Sequence, residues 1–130
     1  MILKSTELNN LNLNLYNFYL FYGVNEGLKE VTIKDLFEIN YQDRIHRYEE
    51  KEVLDNINNF FDNVLTKSFF DNEKLLIINR ATDKIRDVLE ELIEKKPEDI
   101  KIILNSKNLE KKSTLRKIFE KDKSIICVPF

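Results

Sequence analysis

Residues 18–29, Phe-Tyr-Leu-Phe-Tyr-Gly-Val-Asn-Glu-Gly-Leu-Lys, decide the fold. Phe18 to Tyr22 is an unbroken apolar run that stops at Gly23. It lacks the alternation of a strand wetted on one face, so it reads as a strand buried on both faces, as in a parallel sheet. Asn25 then stands where a helix N-cap belongs, ahead of Leu28, Val31, Leu36 and Phe37 at helical spacing. Parallel strands need crossover connections, and helices supply them.

The same alternation continues outward. Leu75–Ile78, Ile102–Leu104 and Ile125–Val128 are further short apolar runs, while Arg44–Tyr48 alternates polar and apolar like a half-exposed edge strand. Helical stripes lie between them. One runs from Val53 and Leu54 through Ile57, Phe60, Phe61, Val64 and Leu65. Another holds Ile85, Val88, Leu89, Leu92 and Ile93, started by Thr82 or Asp83 and stopped at Pro97. A third has Leu115, Ile118 and Phe119 behind a Ser113 cap. Leu8, Leu11, Leu13 and Leu15 suggest a short helix before the first strand. The spacing predicts a three-layer α/β domain with five parallel strands near residues 18–22, 44–48, 75–79, 101–105 and 124–128.

Composition agrees. A chain of 130 residues with 42% hydrophobic side chains fits one domain. Two Gly and two Pro exclude collagen-like and linker-like chains and argue against a turn-rich all-β fold. One Cys excludes an internal disulfide framework. No apolar run approaches a membrane span, and Met1–Asn17 does not read as a secretory signal, so a cytoplasmic location is expected. The chain stops at Pro129-Phe130 directly after a strand, which suggests a fragment of a longer protein.

Little catalytic chemistry is legible. His46 is the only histidine and sits in the expected edge strand, where a rim position is the simpler reading than a general base. Cys127 reads as a small buried hydrophobe. One His and one Cys leave no zinc set, and no metal or cofactor is expected. The segment after the first strand is where a phosphate-binding loop would lie. Yet Gly23 and Gly27 are one residue too close for that motif. Leu28 takes the lysine position, and Lys29 is followed by Glu30 rather than a hydroxyl. Asn79 and Arg80 stand where metal-binding acids would close the third strand. Gly23, Gly27 and Lys29 therefore read as a vestigial loop, and ATP is expected not to bind.

The formal charge is −2, from 21 basic and 23 acidic residues, which is no footprint of a dedicated nucleic-acid binder. Acids cluster between Glu49 and Glu73 and bases between Lys107 and Lys123. Solvated helix faces are the simpler reading of both, and oriented docking inside an assembly the alternative.

The sequence resembles the N-terminal domain of the delta subunit of bacterial DNA polymerase III, the clamp-loader subunit that opens the sliding clamp. The likeness is carried by Phe18–Leu28 (FYLFYGVNEGL), Ser68–Ile78 (SFFDNEKLLII), Asn79–Lys84 (NRATDK) and Ile102–Phe119 (IILNSKNLEKKSTLRKIF). It implies a RecA-like AAA+ fold with strand order 5-1-4-3-2, and a subunit without ATP hydrolysis of its own inside the DNA polymerase III holoenzyme, a nucleotidyltransferase. It also implies that the chain lacks the small lid and helical collar domains of the full-length subunit. The implied partners are the sliding clamp (beta subunit) and, through the full-length chain, the gamma/tau and delta prime subunits. DNA would be met only through the assembly, and no membrane is involved.

The family's clamp-binding element falls on Ser68, Phe69 and Phe70, where Phe69 departs from a more usual Leu. Neighbouring helix positions cannot both face one core, so these residues read either as core packing or as an exposed aromatic anchor. The resemblance favours the anchor. Two other readings stay open: a divergent P-loop-like ATPase, and a DNA-binding domain using the Lys111–Lys123 helix.

Overall fold

The apolar run Phe18–Tyr22 forms β1, buried along its whole length. The computed structural model describes residues 1–65, 73–97 and 99–130. The other strands are β2 (Ile45–Glu49), β3 (Lys74–Asn79), β4 (Ile100–Asn105) and β5 (Ile126–Pro129). All pair in parallel, in the order β2-β3-β4-β1-β5, which is the expected order read from the other edge. The expected strands near 18–22, 44–48, 75–79, 101–105 and 124–128 are thus present within two residues at each end.

Period-two alternation sends the strand side chains into two cores. Leu20, Leu76, Ile78, Ile102, Leu104 and Cys127 face one side of the sheet; Tyr19, Phe21, Leu75, Ile77, Ile103 and Ile126 face the other. Helices α4 (Ile57–Leu65), α5 (Arg86–Lys95) and α6 (Thr114–Lys121) cover the first side with Phe60, Phe61, Val88, Leu92, Leu115 and Phe119. The second side is covered by Leu8 and by Ile33, Phe37 and Tyr41, which lie along α1 (Glu26–Ile33), the π-helical Lys34–Glu38 and the three-residue α2 (Ile39–Tyr41). The result is the expected three-layer arrangement.

Three local expectations need correction. The stripe from Val53 to Leu65 is two helices, α3 (Glu50–Asp55) and α4, broken at Asn56, whose backbone leaves the helical region and whose side chain caps α4 by accepting from Asn59 N–H. The α1 face is also rotated. Lys29, Ile33 and Phe37 at four-residue spacing point inward, whereas Leu28 and Val31 are exposed. A lysine took a position that hydropathy assigns to solvent. The N-terminal leucines form two 3₁₀ turns, Ser5–Asn10 and Leu13–Leu15, rather than a helix, with Leu8 buried and Leu15 exposed.

The caps at Asn25, Thr82 and Ser113 are as the sequence reads: each side-chain oxygen accepts a backbone N–H of the turn that follows. Lys96 adopts a left-handed conformation at the end of α5, ahead of Pro97.

Candidate functional site

The strand register lines up Glu49, Asn79, Asn105 and Phe21 across the carboxyl edge of the sheet. α1 leaves β1 toward one face and α6 leaves β4 toward the other. Such a reversal opens a crevice between the two strand ends, the usual ligand position in open α/β sheets. A cavity of about 320 Å³ lies at this edge. α1 contributes Glu26, Lys29 and Glu30; the strand ends contribute Glu49, Asn79, Arg80 and the Asn105–Lys107 turn. A second cavity shares Glu30, Asn79 and Asn105 and extends along α1 to the Glu38–Arg47 ion pair.

The groups that would cradle a phosphate are engaged within the protein. Gly23 has φ +127, and its N–H donates to the Lys107 carbonyl at 3.2 Å. A Cβ there would fall 2.0 Å from the Phe130 carbonyl oxygen, so the position is held for glycine by close backbone approach as well as by conformation. Phe130 N–H donates to the Tyr22 carbonyl, packing the last described residue over the turn. Gly27 lies inside α1 with open space around it. Lys29 is fully buried, and its Nζ donates to the Ser106 carbonyl at 2.6 Å and to Glu26 Oε1 at 2.9 Å. Of the three loop residues singled out in the sequence, Gly23 ties the turn after β1 to the segment after β4, Lys29 ties α1 to it, and Gly27 makes neither link.

The electrostatics match. Glu26, Glu30 and Glu49 face Lys29, Arg80 and Lys107, so the lining carries no positive excess for a triphosphate. Arg80 pairs with Glu49 at 2.5 Å, which raises its pKa further. Three oxygens at this edge have no hydrogen-bond partner among the described residues: Glu49 Oε2, Asn105 Oδ1 and Ser106 Oγ. The sequence reading missed these acceptors, because Asn and Ser after a strand look like ordinary turn residues.

Two buried charges hold the surrounding loops. Glu50 accepts from the Thr82 hydroxyl at 2.7 Å and from Thr82 N–H, tying α3 to the turn after β3. Lys101 is buried within β4, and its Nζ donates to the carbonyls of Leu13 and Tyr16, with burial lowering its pKa. The lysine inside the run Ile100-Lys101-Ile102-Ile103 was the visible signal for this anchor.

His46 is exposed on β2 beside a cavity of about 300 Å³ whose described lining contains Tyr48, Asn63 and Lys74 but no Ser, Thr or Cys. Cys127 is fully buried, and burial pushes its thiol up to about 12. The basic side chains Lys107, Lys111, Lys112, Lys117, Lys121 and Lys123 are exposed, while Arg116 stacks over the Tyr22 ring and pairs with Glu120. Ser68, Phe69 and Phe70 lie outside the described residues. α4 precedes them in the sequence, and its Phe60, Phe61 and Val64 are buried.

The model of the family DNA polymerase III, delta subunit, matches residues 19–128. No curated protein matches the chain. Among solved structures, the Bacillus subtilis DNA clamp loader delta protein is similar in fold, with a TM-score of 0.64 at 15% sequence identity. The similarity covers 95% of this chain and 41% of that one.

Proposed function

The chain belongs to the DNA polymerase III delta subunit family, and on that premise we propose that it is the clamp-engaging part of a clamp loader, working by binding energy rather than by nucleotide hydrolysis. Residues 68–70 are the proposed contact with the sliding clamp: two adjacent Phe with turn residues Asp71 and Asn72 behind them. Gamma/tau and delta prime subunits are the proposed neighbours in the assembly, and contact with DNA would come through them.

One observation carries the reading that this subunit does not use ATP itself. The family match coincides with a phosphate loop whose Gly23 N–H and Lys29 ammonium are bonded to backbone carbonyls. An ATPase reading needs both groups free and an acid at Asn79 or Arg80. The test is a pull-down of a sliding clamp by this chain with and without Mg-ATP. Retention that is independent of nucleotide supports the proposal. Absence of retention, or retention only with ATP, overturns it.

A further inference from the structure

Residues 68–70, the proposed clamp contact, have flanks that are held from opposite sides of the sheet. Before them, Phe61, Val64 and Leu65 of α4 pack into the core on the first side. After them, Glu73 leads into β3, and its partners come from the second side. The Tyr41 hydroxyl donates to Glu73 Oε2 at 3.2 Å, and Arg44 Nη1 donates to the Glu73 carbonyl at 3.0 Å. Lys74 N–H, next along, donates to the Asp99 carbonyl at 2.8 Å. Glu73 itself is exposed, so its place is set by these bonds rather than by burial.

The two donors are themselves fixed. Tyr41 is buried in the second core. Gln42 leaves the helix at φ +40, and the chain turns back so that the Arg44 guanidinium lies over the Tyr41 ring, 5.4 Å from its centre. Arg44 Nη2 also donates to the Asn40 carbonyl at 2.9 Å. A non-glycine residue at positive φ persists where its surroundings over-determine it. Burial, and then the Glu73 carboxylate, raise the pKa of Tyr41, so its hydroxyl keeps its proton and remains a donor. Lys101 of β4 lines the same cavity of about 160 Å³ and adds a positive charge near Glu73.

We propose that Tyr41 and Arg44 are positioning residues for clamp engagement: by holding Glu73, they fix where the segment carrying residues 68–70 joins the sheet, and so how it is presented to the clamp. The inference rests on the clamp-contact reading above. A root held by hydrogen bonds lowers the ordering cost of binding, which is how preorganisation raises affinity. The buried Tyr41 acts only through Glu73.

The test is the affinity of this chain for a sliding clamp, measured by surface plasmon resonance alongside thermal melting. The Phe69→Ala, Phe70→Ala double variant is the control for the reading itself. Tyr41→Phe removes only the hydroxyl, Glu73→Ala removes its acceptor, and Glu73→Gln keeps an acceptor oxygen. Tyr41→Phe and Glu73→Ala should each weaken binding about fivefold, with the melting temperature of Tyr41→Phe unchanged. Combined, they should bind no worse than Glu73→Ala alone, since both remove the same bond. Glu73→Gln should stay within about twofold of the parent chain, and Arg44→Lys should recover part of an about fivefold loss in Arg44→Ala. No clamp binding by the parent, or equal binding by the double phenylalanine variant, overturns the reading and the inference together. A loss in that variant with unchanged binding in Tyr41→Phe or Arg44→Ala overturns the inference alone. So do a fallen melting temperature in Tyr41→Phe, additive losses in the combined variant, Glu73→Gln as weak as Glu73→Ala, or no recovery in Arg44→Lys.

Discussion

The ammonium of Lys29 donates to the backbone carbonyl of Ser106 at 2.6 Å, across the crevice between α1 and the end of β4. In a phosphate-binding loop the lysine of this region meets the nucleotide. Here it meets the protein, with Glu26 as its counter-charge. The bond braces α1 against the end of β4 across that crevice.

Lys29→Met should therefore be destabilising, although it replaces a charged group by an apolar one of similar length. The variant leaves the Ser106 carbonyl without its lysine donor at a buried position, at a cost of about 1–3 kcal/mol. Urea denaturation checks this. A more stable variant would show that the brace contributes nothing beyond its packing.

The two glycines of the same segment should respond oppositely to alanine. At Gly23 a Cβ collides with the Phe130 carbonyl oxygen at φ +127, so Gly23→Ala should lower the melting temperature sharply. At Gly27, inside α1 with open space, alanine should raise stability by about 0.5–1 kcal/mol through its lower conformational entropy in the unfolded chain. A matched pair of thermal melts reads both outcomes.

Asp83 gives the stability a pH dependence. Burial opposes its charge, but bonds from the Ser113 hydroxyl and Leu115 N–H, with further contributions from Thr114, outweigh burial and hold its carboxyl below the usual value. The unfolded chain then binds the proton more readily. The stabilisation is fully present above the unfolded Asp value of about 3.9 and is lost as pH falls through the lower folded value. Asp83→Asn should flatten that part of the denaturation profile in acid. An unchanged profile would remove Asp83 from the acid response. The effect is modest, because the group is largely exposed.

Cys127 should be silent to thiol reagents in the native state. It is fully buried, and its thiol is raised to about 12, chiefly by burial, so almost no thiolate exists at neutral pH. Reaction with a chromogenic disulfide should follow global unfolding. Rapid labelling without denaturant would show that β5 opens locally.

The sheet was legible because each buried strand is a run with no polar interruption long enough to hide it, and because Asn25 and Ser113 announce their helices. Lys101 is the one charge inside such a run, and it left β4 readable. The break at Asn56 was not legible, since the apolar spacing from Val53 to Leu65 continues across it. The inward turn of Lys29 was hidden for a different reason. Hydropathy ranks Leu28 and Val31 above it, while the Ser106 carbonyl that recruits it lies far away in sequence. The orphaned oxygens at Glu49, Asn105 and Ser106 required three strand ends to be brought together, which no local pattern records.

The last prediction concerns Phe69 and Phe70. Phe60, Phe61 and Val64 of α4 are buried in the core, and the two aromatics follow that helix in the sequence. If the pair docks on a clamp, full burial of each ring contributes about 1.5–3 kcal/mol of transfer free energy. Replacing both by alanine should then weaken clamp binding at least tenfold, about 1.4 kcal/mol, at an unchanged melting temperature. If the rings instead pack inside, the same change removes several kcal/mol of folding stability. Clamp affinity and thermal melting on the one double variant separate the cases. A loss of affinity without a loss of stability supports docking. Unchanged affinity, or a collapse of the melting temperature, would count against it.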